Sequence, residues 1–128
     1  MPLITGVDHE HREVYVVALG PVSLDDVRDH LLREKRERGL AYPELVDARG
    51  AGIPTTLADL EQIAEILRGV SREGPLGRTA FLVSSDADLE AMRALEAMVL
   101  DICDMKTFRG EAEARAWLRG GAAKGQST

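Results

Sequence analysis

A chain of 128 residues is long enough for one domain that buries a single core without a disulfide or a metal. Its formal net charge of -6 argues against a nucleic-acid backbone or an anionic membrane surface as partner, and aromatics at 4% leave few platforms for stacking bases. The single cysteine, Cys103, permits no intrachain disulfide; no apolar run is long enough to span a bilayer, and Met1 to Gly6 lacks the features of a secretory signal, so the expectation is a cytoplasmic protein without stable membrane insertion.

In chain order, Leu3 to Val7 reads as a strand, and the polar run Asp8 to Arg12 as the tip of a hairpin leading into the β-branched strand Glu13 to Leu19. Ser23 is placed as N-cap of a helix with Asp25 and Asp26 in its first turn. Leu24, Val27, Leu31 and Leu32 form one apolar face; Arg33 to Arg38, interleaved with Glu34 and Glu37, form a solvated one; Gly39 ends the helix. A short strand, Glu44 to Asp47, is followed by the glycines Gly50 and Gly52, where positive φ is expected.

A second helix starts near Thr56, with Asp59 three residues on and Leu57, Leu60, Ile63, Leu67 and Val70 as its stripe. After the loop Ser71 to Gly77 comes the apolar strand Thr79 to Ser84, of the kind covered on both faces. Ser85 and Asp88 repeat the capping spacing and open a third helix, whose stripe runs from Leu89 through Met92, Leu95 and Val99 to Ile102. Its excess of apolar surface suits a ligand lid or a dimer face. Met105 to Phe108 is a short strand and Glu111 to Leu118 a final helix. The alternation predicts an α/β fold: a mixed, mostly parallel sheet of about five strands with about four helices, right-handed crossovers and one antiparallel hairpin. Residues 1–119 are expected to form one domain and 120–128, small and polar, a disordered tail.

Four segments carry a resemblance: Gly20-Pro21-Val22-Ser23 after the long strand, Leu45 to Gly50 ("LVDARG"), Thr79 to Asp86 ("TAFLVSSD") and Lys106 to Leu118 ("KTFRGEAEARAWL"). In order and spacing they resemble the bacterial SpoIIAA-like proteins, or STAS/SEC14-domain proteins, over roughly residues 5–118. The resemblance implies a β-α superhelical fold and two kinds of role. One is that of the STAS antagonists, non-catalytic modules that bind a partner kinase and are switched by phosphorylation. The other is that of SEC14-type carriers of small hydrophobic or lipid ligands. The antagonists carry Asp-Ser-(Ser/Thr)-Gly at the start of the helix after the middle strand. Here that region reads Ile53-Pro54-Thr55-Thr56-Leu57, with hydroxyls but neither the Asp nor the Gly.

Candidate site residues cluster at the carboxyl ends of the strands, where α/β sheets bind ligands. Arg49 suits an anion, with Asp47 as its positioner; the same two residues also suit an internal pair in a turn. Thr55 and Thr56 suit a partner surface or a helix cap. Ser84 and Ser85 end the neighbouring strand, but no histidine lies in a segment placed to serve them as base, so no catalytic set assembles and no enzyme is expected. Arg109 is the second candidate for an acidic head group, above an apolar space beneath the third helix that Met92, Met98 and Met105 would line. His9 and His11 read as a solvated tip rather than a metal site, His30 as remote in the first helix, and Cys103 as a buried, inert thiol. No cofactor or metal is expected. The partner is a protein or a small hydrophobic or anionic ligand, with a homodimer as a further expectation.

Overall fold

The computed structural model describes residues 3–36 and 42–121. Strands β1 (Leu3–Asp8) and β2 (Glu13–Pro21) pair antiparallel, Thr5 opposite Val16. Asp8 closes the tip between them: its Oδ1 accepts from the backbone N–H groups of Glu10 and His11 at 3.0 and 3.1 Å. Helix α1 (Leu24–Arg36) follows. Ser23 caps it reciprocally, accepting from Asp26 N at 3.1 Å while Asp26 Oδ2 accepts from Ser23 N at 2.8 Å. Then come β3 (Glu44–Gly52), α2 (Leu57–Ser71), β4 (Thr79–Leu82), α3 (Asp86–Met98), β5 (Met105–Phe108) and α4 (Glu111–Ala116), which runs into a π-helical turn over Trp117–Gly121.

The strand order is β1-β2-β3-β4-β5, with β2 to β5 all parallel. Because each parallel crossover advances one strand in the same direction with the same hand, α1, α2 and α3 share one face of the sheet. There Leu31, Leu60, Ile63, Leu67, Leu95 and Val99 form the main core over Phe81 and Val83. Helix α4 returns to the opposite face and buries Leu45, Ala80 and Leu82 beneath Ala114, Phe108 and Trp117. Arg78 pins its end, stacking 4.0 Å above the Trp117 ring and donating to Trp117 O at 2.8 Å.

Four expectations need correction. Strand β3 does not stop at Asp47 but runs to Gly52, because Gly50, Ala51 and Gly52 pair with Leu19, Gly20 and Pro21 of a β2 that is itself longer than expected. Gly50 and Gly52 are therefore strand residues. Among the described glycines it is Gly20 that takes positive φ, at 68°. Strand β4 ends at Leu82, two residues short of Ser84. The third helix stops at Met98, not Ile102. Arg68 of α2 donates to Met98 O and, at 2.9 Å, to Asp101 Oδ2, tying the helix end to the turn that follows. The expected stop at Gly39, the charges Glu37 and Arg38, and nearly all of the expected tail lie outside the described residues.

Candidate functional site

The irregular sequence after Leu45-Val46 has a specific cause. Between the pairs Val17–Asp47 and Leu19–Gly50 the register shifts, so β3 places two residues, Ala48 and Arg49, where β2 places one. This is a β-bulge. Arg49 falls out of the ladder, and its N–H goes instead to Asp47 Oδ1 at 3.1 Å. The guanidinium folds back in the same direction: Nε donates to Asp47 Oδ1 at 2.9 Å and Nη2 to Asp47 Oδ2 at 2.8 Å, a bidentate pair.

The pair is part of a longer chain on the α4 face. Arg49 Nη2 also donates to Glu111 Oε1 at 3.2 Å, Glu111 Oε2 accepts from Arg115 Nε at 2.8 Å, and the Arg115 guanidinium lies 5.5 Å from the Tyr15 ring centre. The Arg49 guanidinium holds the Asp47 carboxyl below its ordinary value, and Arg115 does the same for Glu111. Arg49 thus commits Nε and Nη2 to two carboxylates of its own chain. The geometry is that of an internal clasp between β3 and α4.

The other expected residues also carry structural roles. Thr56 Oγ1 accepts from Asp59 N at 3.2 Å and Ser85 Oγ from Asp88 N at 3.1 Å, so each caps its helix. Ser84 Oγ donates to Arg49 O at 3.0 Å, bridging β4 to the bulge. Arg109 donates to Asp86 Oδ1 at 2.6 Å and Ser84 O at 3.1 Å. Asp47, Arg49, Ser84 and Arg109 are therefore brought to one edge of the sheet. Thr55 and Thr56 are exposed at the start of α2, and no hydrogen bond among the described residues joins them to that edge. At the hairpin tip His11 Nδ1 pairs with Asp8 at 2.7 Å and His9 with the Tyr42 hydroxyl at 3.0 Å.

A mostly apolar space lies on the other face. A cavity of about 130 Å³ opens between the sheet and the helical layer. Val16, Ala18, Val46, Ala48 and Phe81 form its floor; Val27, Leu31, Ile63 and Leu67 of α1 and α2, with Met92 and Leu95 of α3, form its roof. It exists because small residues, Ala18 on β2 and Ala48 at the bulge, face a roof that does not fill the gap they leave. Met92 and Met105 line it as expected; Met98 packs beside the main core instead. Neither Arg49 nor Arg109 reaches it.

Its polar end is a cluster that the sequence reading passed over. His30 Nε2 lies 2.9 Å from Glu44 Oε2 and His30 Nδ1 lies 3.2 Å from Thr5 Oγ1, so α1, β3 and β1 meet at one imidazole. The His30 and Glu44 side chains are only 10% and 12% exposed. A carboxylate can only accept, so Nε2 carries the proton toward Glu44, and in the neutral ring Nδ1 accepts from the Thr5 hydroxyl. Two signals were present in the sequence. His30 stands three residues after Val27 and one before Leu31, on the apolar face of α1; Glu44 alternates with Val46 and Ala48 on the helix-covered face of β3. Cys103 also lines the cavity, and burial pushes its thiol up to about 11, as an inert thiol requires.

No protein-family model and no curated protein matches this sequence. A search of solved structures finds an uncharacterized protein from the DUF3478 family with a SpoIIAA-like fold, from Shewanella loihica PV-4, whose crystal structure was determined at 2.25 Å. It superposes with a TM-score of 0.60 over 91% of this chain and 93% of that one, at 17% identity. The fold is SpoIIAA-like. In the SpoIIAA-like fold of this chain the strand-end edge is tied into itself by ion pairs, while the space between sheet and helices is left partly unfilled. No helix among the described residues is long and apolar enough to cross a membrane.

Proposed function

We propose that the protein is a non-catalytic binder of a small hydrophobic ligand, held between the sheet and helices α1 to α3. The observation that supports this is the cavity, apolar except at the His30–Glu44 end. Protein interiors are packed with few voids larger than a water molecule, so a volume of about 130 Å³ is a departure from ordinary core packing. Its size sets the ligand class. An engineered apolar cavity of about 150 Å³ takes up benzene, whereas drug-sized ligands need roughly 300–1,000 Å³. The fitting occupant is a single ring or a short acyl chain, and a diacyl lipid is too large. Native mass spectrometry of freshly purified protein is expected to show a small adduct that Ala18→Leu, which fills the floor, removes. Absence of any adduct, together with no gain in melting temperature on adding toluene, would sink the reading.

A second reading, a STAS-like interaction module, draws support from a different place. Leu57, the first residue of α2, is 63% exposed, beside exposed Thr55 and Thr56. An apolar side chain beside two accessible hydroxyls suits a partner surface that a kinase could modify. The matching test is phosphorylation by a cognate kinase, and unchanged partner binding by a Thr55→Ala, Thr56→Ala double variant would count against it.

A further inference from the structure

We infer that the cavity takes an aromatic ring in preference to a saturated ring or an acyl chain of similar size, with the thioethers of Met92 and Met105 as the selecting groups. This rests on the small-ligand reading above and decides between the two occupants whose size fits.

Sulfur is concentrated at this cavity. The chain holds four methionines and one cysteine. Met92, Met105 and Cys103 all line the cavity, whereas Met98 packs beside the main core without lining it and Met1 lies outside the described residues. The Cys103 thiol is turned toward the carbonyl of Gly77, at 3.9 Å, so the two thioethers are the sulfurs left to an occupant. The chain has two phenylalanines, and one of them, Phe81, stands in the cavity floor. Register explains how these side chains meet. Met105 is opposite Thr79 across the β4–β5 pair, and Phe81 follows Thr79 by two residues, so Met105 and Phe81 project from one face of the sheet. Helix α3 lies against β5 and brings Met92 over that face. Ala18 and Ala48, which leave the volume open, stand on β2 and β3. The space is thus bounded toward β4 and β5 by two thioethers and a ring.

Hydrophobic burial is non-directional and follows apolar area, so by itself it ranks a saturated ring with an aromatic one. Sulfur does not. A thioether is soft and polarisable, and at ~5 Å from an aromatic ring it makes a favourable contact that a saturated hydrocarbon lacks. Phe81 adds a ring on which a second ring packs edge to face or offset. Leu31, Leu67 and Leu95 supply much of the remaining roof with side chains that make no such contact. Methionine is also unbranched, so it turns to meet an occupant without strain.

The test compares toluene with methylcyclohexane, which has the same methyl-substituted ring without aromaticity, and with n-hexane as the acyl-chain analogue. Each is supplied to the full chain as vapour at a controlled fraction of saturation. This refers all three to their own pure liquids and removes differences in water solubility. Half-occupancy is read from chemical-shift changes at Ala18 and Ala48. Toluene is expected to reach it at an activity about threefold to tenfold lower than either saturated hydrocarbon. In a Met92→Leu, Met105→Leu double variant, which nearly conserves volume, that advantage is expected to shrink to about twofold or less while all three still bind. Equal half-occupancy activities in the wild type, with toluene bound at those alanines, would overturn the aromatic selection and leave the cavity reading intact. A toluene advantage undiminished in the double variant would overturn the assignment to the methionines. Failure of all three hydrocarbons to bind would overturn the cavity reading itself. A second measurement needs no variant. With methionine methyl groups labelled, bound toluene is expected to impose ring-current shifts on Met92 and Met105 and to leave Met98 in place. Toluene bound without such a shift at Met92 and Met105 would overturn their assignment.

Discussion

Asp47 and Arg49 show how a motif that looks like a binding site can be consumed by its own fold. Their neighbours in sequence, Leu45 and Val46, announce a buried strand. The bulge that frees the Arg49 N–H, and the Glu111 carboxylate that takes up its guanidinium, come from register and from a helix more than sixty residues later. Neither could be read locally, whereas the pairing of Asp47 with Arg49 itself could. The clasp has a pH signature. The folded-state values of Asp47 and Glu111 lie below their ordinary values of 3.8 and 4.5, so the folded protein binds fewer protons than the unfolded chain. Their stabilisation is complete above those ordinary values and is lost as the pH falls through the lowered ones. Urea unfolding followed from pH 7 to pH 3 is expected to be nearly flat down to about pH 5 and then to fall. Arg49→Met should lower stability at neutral pH and flatten the acid limb; an unchanged acid limb would show that the clasp does not supply it.

Among the elements, the caps were the most legible features. Thr56 and Ser85 follow from a three-residue spacing and Ser23 from the acidic turn after it, and each accepts a hydrogen bond from the backbone N–H three residues on. Ser85→Ala and Thr56→Ala should each cost about 1 kcal/mol in urea unfolding. A loss well under 0.3 kcal/mol would mean that the helix start is held by packing instead. The ends of elements were less legible, because tertiary partners set them. α3 stops at Met98 where Arg68 reaches across from α2, and β3 continues past Asp47 because β2 lies beside it. The turn after α4 is likewise fixed from outside: Arg78 both stacks on Trp117 and bonds its carbonyl. Trp117→Ala should therefore cost about 3 kcal/mol, since it removes the half-buried ring that packs against the second core and on which Arg78 stacks.

For the molecule as a whole, the order of elements and the mixed sheet followed from the alternation of apolar patterns, since each crossover has one permitted hand. An apolar space beneath α3 was expected from Met92, Met98 and Met105, and Met92 and Met105 do line it; its floor did not follow, because an unfilled volume depends on how Ala18 and Ala48 meet a roof contributed by three helices. Cys103 gives an independent handle on it. A buried thiol with its pKa pushed up to about 11 should react with a small disulfide reagent far more slowly in the folded protein than in urea, and toluene should slow it further by occupying the space that Cys103 lines. The most direct measurement is an amide and methyl chemical-shift map of the wild-type protein titrated with toluene. The expected result is saturable change at Ala18, Ala48, Phe81, Met92 and Leu95, abolished by Ala18→Leu. Absence of change at those residues, or change confined to the surface around Asp47, Arg49 and Glu111, would contradict the account.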